Sequence, residues 1–157
     1  MTSPTSMPAG LQEIIDDFAS LVGQEKLLLL LEFGENLPAL PERYAYHPEL
    51  LEPVPECQSP VFLITEIDRS SGTPVARLFF TAPLESPTTR GFAGVLREGL
   101  DGLPVTEVLA VPADFAMQLP VADVVSPLRM RGLSAMLSRV QRQLTKAMQD
   151  DNPAGAH

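Results

Sequence analysis

Six prolines fall between Asn36 and Pro60 (Pro38, Pro41, Pro48, Pro53, Pro55 and Pro60), and they divide this chain more sharply than any other feature. Proline lacks an amide N–H and fixes φ near roughly −65°, so neither a long helix nor a central strand can run through such a stretch. The segment therefore reads as an extended arm. It delivers the chain's only cysteine, Cys57, in the run Pro55-Glu56-Cys57-Gln58-Ser59-Pro60-Val61-Phe62.

On the N-terminal side of the arm the pattern is helical. Leu11, Ile14, Ile15, Phe18, Leu21 and Val22 form an apolar stripe opposite Glu13, Asp16 and Asp17, which predicts an amphipathic helix ending at Gly23. A second helix is expected from Gln24 to about Glu35. Its run of leucines cannot lie on one face, so it should be buried on much of its circumference. Beyond the arm the period changes. Residues 61–67 and 75–81 are rich in β-branched and aromatic side chains and flank Arg69-Ser70-Ser71-Gly72, as two strands of an antiparallel hairpin would. A short third strand before Cys57 would be confined by its prolines to an edge.

Helical signals then return. Ser86-Pro87 supplies a cap residue followed by a proline at the first helical position, opening a helix to about Gly99. Two short helical pieces are expected at 104–110 and 113–119. Ser126-Pro127 repeats the cap signal ahead of a long final helix with Leu133, Met136, Leu137, Val140 and Leu144 on its apolar face. Helices, a hairpin, then helices again predict an α+β fold with a small antiparallel sheet of about three strands and helices packed on one face. At 157 residues the chain suits one domain, expected over 11–149, with residues 1–10 and 150–157 as disordered ends.

Composition narrows the class of function. The longest leucine run, Leu27 to Leu31, is bounded by Lys26 and Glu32 and is too short to span a membrane. Residues 1–10 lack the basic start and apolar core of a signal peptide, and one cysteine argues against an oxidising compartment, so a cytoplasmic location is expected. A net charge of −9 with no interleaving of basic and aromatic residues argues against nucleic acid as partner. The charge is also uneven. Residues 1–57 carry ten acids against Lys26 and Arg43, whereas 126–149 carries Arg129, Arg131, Arg139, Arg142 and Lys146 with no acid. Such ends read as solvated faces that attract each other within the fold, or as surfaces that steer a charged partner.

Cys57 is where chemistry is expected. Free cysteines are often simply small buried hydrophobes, but Glu56, Gln58 and Ser59 do not make an apolar face, so the residue reads as presented at the mouth of a strand. A metal site needs several ligands at suitable spacing, and one cysteine with His47 and His157 does not supply them. A thiol hydrolase would need His47 as its base. Thiol exchange asks least, only an accessible thiolate and a sulfur electrophile brought by a partner.

These residues together resemble the SufE family, the sulfur acceptors that work with PLP-dependent cysteine desulfurases in iron–sulfur cluster assembly. The likeness runs from about Leu11 to Leu144. It rests on Ile14-Ile15-Asp16-Asp17-Phe18, Gly34-Glu35-Asn36-Leu37-Pro38, Cys57-Gln58-Ser59 with Val61-Phe62, Ser86-Pro87-Thr88-Thr89-Arg90-Gly91, and Ser126-Pro127-Leu128-Arg129 followed by Gly132-Leu133 and Ala135-Met136-Leu137. Glu56 stands where many members have glycine, and Phe62 where many have tryptophan. A carboxylate beside the thiol disfavours the thiolate.

The resemblance implies a fold shared with IscU-type scaffold proteins, with a cysteine loop that tucks its thiol against an apolar cavity. It implies Cys57 as the persulfide acceptor, Gln58 and Ser59 as loop-shaping residues, and Arg129 as an aid to the loop or a partner contact. It further implies a SufS-type desulfurase as partner, with PLP belonging to that partner and no cofactor held here. A downstream iron–sulfur scaffold complex would receive the sulfur, and the chain would be a monomer or weak homodimer. A lone cysteine sets the scaffold role itself aside, since holding a cluster takes several ligands. The alternative is a regulatory module that activates the desulfurase by docking alone, with Cys57 incidental.

Overall fold

A computed structural model describes residues 7–150. Helix α1 (Ala9–Ala19) is followed by α2 (Gln24–Glu35) and the proline arm, which holds only a four-residue helix α3 (Glu42–Ala45) and a 3-10 turn at Pro48–Leu50. Strand β1 (Glu52–Pro53) leads into a 3-10 turn, Pro55–Cys57, and then into the hairpin β2 (Phe62–Asp68) and β3 (Val75–Thr81). Helices α4 (Pro87–Leu100), α5 (Val105–Leu109), α6 (Phe115–Gln118) and α7 (Pro127–Asp150) complete the chain.

The sheet is antiparallel in the order β1-β2-β3, with Glu52 opposite Leu63 and Leu63 opposite Phe80. Alternation places Leu63, Thr65, Ala76, Leu78 and Phe80 on one face, and α4 and α7 pack over it. The α+β expectation, an edge strand before Cys57 included, agrees with this architecture. The opposite face is partly covered by α3, whose Tyr44 ring lies 5.5 Å from that of Phe79 and whose Arg43 pairs with Glu66 at 2.9 Å. Because β1 is so short, β2 has a free edge beyond Leu63. There Gln143 of α7 accepts from both the amide and the hydroxyl of Thr65 through its Oε1, at 2.8 and 3.1 Å.

Three expectations change. Helix α1 begins at Ala9 and Met7 is buried in the core, so the ordered chain starts before Leu11; residues 1–6 and 151–157 of the expected ends lie outside the described residues. The same helix stops at Ala19, and Val22, expected on its apolar stripe, is 73% exposed. Helix α2 is not buried around its circumference: only Leu30 and Gly34 are buried, and Leu28 is 65% exposed. The reason lies in α4. Gly91 and Gly94 leave no room for a Cβ against the backbone of Leu30 and Phe33, so α2 lies directly on α4 along one line of contact; Leu27 and Leu29 pack half-buried against the core, and Leu28 is left to solvent.

Candidate functional site

Cys57 sits at the end of the 3-10 turn that joins β1 to β2. Pro55 sits in the first turn of this 3-10 segment, where a missing N–H costs little, and the Cys57 amide donates to the Val54 carbonyl at 3.0 Å. Gln58 takes a left-handed conformation, φ 57° and ψ 24°, and its amide donates to the Pro55 carbonyl at 2.9 Å. Among the described residues it is the only non-glycine with positive φ. The left-handed residue reverses the chain, and the turn is closed at its base by the Val54 amide donating to the Val61 carbonyl at 2.9 Å.

The turn folds back onto α7. A Cβ added at Gly132 would stand 2.9 Å from Cys57 Sγ, so the thiol occupies the place where a side chain of the helix would be. Cys57 is 6% exposed and belongs to the core cluster with Val54, Val61 and Leu133. The thiol is thus sheltered, in agreement with the tucked loop that the resemblance implies and contrary to the presented thiol that its polar neighbours suggested: those neighbours are on the outside of the turn and the sulfur points in. Burial, and secondarily the Glu56 carboxylate, push the thiol up to about 11, against the opposing charges of Arg139 and Arg129.

The flanking residues are tied down individually. Ser59 Oγ lies 2.8 Å from Ser86 Oγ, just ahead of α4. The expected N-cap at Ser86 is therefore absent as a side-chain cap; its hydroxyl instead holds the cysteine turn. At Ser126 the expected cap does form, the Arg129 amide donating to Ser126 Oγ at 3.3 Å. Arg129 reaches across with Nη1 to donate to Thr89 Oγ1 at 3.3 Å, and Thr89 is 3% exposed. Arg90, next in the same motif, donates to the carbonyls of Gly34 and Ala82 at 3.0 and 2.7 Å, pinning α4 to α2 and to the end of the hairpin. No side-chain hydrogen bond of Gln58 contributes to the arrangement described; its part is the backbone reversal.

The acidic and basic ends of the chain meet beside this turn. Arg139 of α7 places Nη2 3.0 Å from Glu56 and Nε 3.2 Å from Glu52, while Glu52 also pairs with Arg142 and accepts from Gln143 Nε2 at 2.8 Å. Hydrogen bonding at its own backbone and the Arg139 guanidinium hold the Glu56 carboxyl below its usual range. Burial pushes Glu52 up, but Gln143, Arg142 and Arg139 outweigh it and the net direction is downward. His47 Nδ1 lies 3.1 Å from Glu49 on an exposed part of the arm, and no hydrogen bond or ion pair joins it to Cys57 among the described residues. Nor, among those residues, does any group of three His, Cys, Asp or Glu stand where it could hold a metal, and no helix is long and apolar enough to cross a membrane.

A small antiparallel sheet backed by helices, with one thiol folded under an edge turn, defines a class of α+β thiol proteins. The chain belongs to the SufE family: the family model, described as an Fe-S metabolism associated domain, matches residues 12–144. An uncharacterized SufE-like protein of Mycobacterium tuberculosis is 54% identical over 147 residues, covering 94% of this chain and 99% of that protein. The SufE-like protein 1, chloroplastic/mitochondrial, of Arabidopsis thaliana is 31% identical over 87% of this chain and 35% of its own length. The solution structure of a hypothetical protein from Thermus thermophilus superposes with a TM-score of 0.78 at 37% identity, covering 91% of this chain and 98% of that one. A role in iron–sulfur metabolism follows from membership.

The sequence reading missed Gly132, Ser86 and Thr89 as parts of the site. Each lay within a quoted motif, but what ties them to Cys57 is a contact across 27 or more residues, which no local pattern announces.

Proposed function

We propose that the protein is a sulfur acceptor and carrier that takes sulfur onto Cys57 from a PLP-dependent cysteine desulfurase of the SufS type and passes it on to an iron–sulfur scaffold complex. The observation that carries this reading is the lone cysteine on a proline-bracketed turn, closed over Gly132 by contacts that a docking partner can break. A carrier thiol benefits from shelter, because an exposed thiolate climbs the ladder from sulfenic to sulfonic acid. PLP is the partner's and supplies the cleavage of the substrate cysteine there; this chain contributes the acceptor.

The transfer begins with the turn open and the Cys57 proton released to solvent. The thiolate attacks the terminal sulfur of the persulfide on the desulfurase cysteine, forming a bond from Cys57 Sγ to that sulfur. The sulfur–sulfur bond of the donor breaks, and its electron pair leaves with the desulfurase thiolate. Cys57 then carries the persulfide, with no net oxidation or reduction. In the same reading Gln58 shapes the turn, Ser59 anchors it through Ser86, and Arg129 contributes positive charge near the sulfur. The setting is cytoplasmic and the chain a monomer or weak homodimer.

The test is the intact mass of the protein after mixing with its desulfurase, PLP and cysteine. Cys57 is expected to gain sulfur and to lose it on reduction, and Cys57→Ser to abolish both the adduct and the stimulation of sulfide release while keeping the fold. A serine variant that stimulates the desulfurase as well as the natural protein would make this a regulatory module acting by docking alone.

A further inference from the structure

The carboxylate next to the thiol is placed for a task other than electrostatic discouragement. Glu56 is the one charged residue on the turn itself, and its side chain, 46% exposed, reaches to Arg139 Nη2 on the helix that receives the sulfur. The Arg139 side chain is only 18% exposed, and its Nε is buried with no well-formed hydrogen bond, so the guanidinium depends on the carboxylates around it. Those carboxylates are held differently. Glu52 belongs to β1 and is held opposite Leu63 in the sheet, with Arg142 and Gln143 also on it. Glu56 lies beyond Val54, in the same 3-10 turn as Cys57.

We propose that the Glu56–Arg139 ion pair is a latch that sets how often the Cys57 turn opens. Opening breaks one ion pair and leaves Arg139 still paired with Glu52, so no orphan charge is created in the half-buried site and the guanidinium stays in place to recapture Glu56 on closing. Arg139 and Glu56 are positioning residues; neither contacts a reacting atom. The inference rests on the reading of Cys57 as the working thiol, and it concerns the protein before any partner arrives.

The experiment is the rate at which N-ethylmaleimide, a neutral thiol reagent, labels Cys57 in the isolated full-length protein. A half-exposed pair of this kind supports an expected acceleration of roughly two- to fivefold when it is broken. Glu56→Gln and Arg139→Gln are both expected to label faster, and the double variant no faster than the quicker single one. A purely electrostatic influence on the thiol gives a different pattern, because Glu56 disfavours the thiolate and Arg139 favours it. It would make Glu56→Gln faster, Arg139→Gln slower and the double variant close to the natural protein, and that pattern would overturn the latch. Glu56→Asp keeps the charge beside the thiol while shortening its reach. It is expected to label faster too, and an unchanged rate would also overturn the proposal, even where Arg139→Gln fails to fold. No desulfurase is present, so failure here is distinct from failure of the carrier reading, which is decided by intact mass.

Discussion

Gly132→Ala tests whether the thiol is seated where the geometry puts it. The new Cβ would stand 2.9 Å from Cys57 Sγ and 3.4 Å from Cys57 Cα. Rotation about χ1 relieves the first contact only by lifting the sulfur off its seat. Overpacking of this kind costs about 1–3 kcal/mol, and here only the closed turn feels it. The same substitution favours the helix by about 0.5–1 kcal/mol, in the open and closed forms alike, since α7 is intact in both. The two effects therefore separate. The open population should rise roughly fivefold at the lower cost and above a hundredfold at the higher, while the thermal midpoint moves little. The loss of stability is also capped, because opening the turn releases the strain. The assay pairs the maleimide labelling rate at fixed pH with a thermal melt. A variant that melts like the natural protein and labels just as slowly would refute the seating of Sγ on Gly132.

Two further outcomes follow from the same site. The folded turn prefers the neutral thiol, so that contribution is complete below the ordinary thiol value of 9.0 and is lost as pH rises towards about 11. Labelling of the isolated protein should accordingly keep climbing across pH 9 to 11, and a rate that levels off at the pH of a free thiol would contradict the burial. Arg129→Ala removes a positive charge felt by the thiol and the donor to Thr89. It is expected to slow sulfur uptake in the intact-mass experiment while leaving the affinity for the desulfurase unchanged, and a loss of affinity would instead make Arg129 a partner contact.

How much of this was legible in the chain depended on the range of the cause. The hairpin, the edge strand and the bounds of α2 follow from local preferences: β-branched runs around Arg69-Ser70-Ser71-Gly72, prolines that tolerate only an edge, and a helix stop after Glu35. The leucine run misled because periodicity records which side chains are apolar and not how closely a neighbouring helix can come. Gly91 and Gly94, far along the chain in α4, decide that. The two Ser-Pro signals look alike in sequence. Only Ser126 caps its helix through the side chain, because the hydroxyl of Ser86 has Ser59 within reach.

Taken alone, the sequence determined that there is a single thiol, that prolines hold it on a turn beside an edge strand, and that acids lie mostly before it and arginines after it. These are properties of composition and of backbone restriction within a few residues. The resemblance implied a tucked thiol, but where it is seated was decided by tertiary structure, because facing inward requires a position on α7 with no side chain, and Gly132 reads locally only as a residue that weakens its helix. Tertiary structure likewise turned two separated stretches of charge into one cluster, in which Arg139 bridges Glu52 of the sheet and Glu56 of the turn. The energy of an ion pair depends on distance and burial, and both are set only when β1, the cysteine turn and α7 pack together.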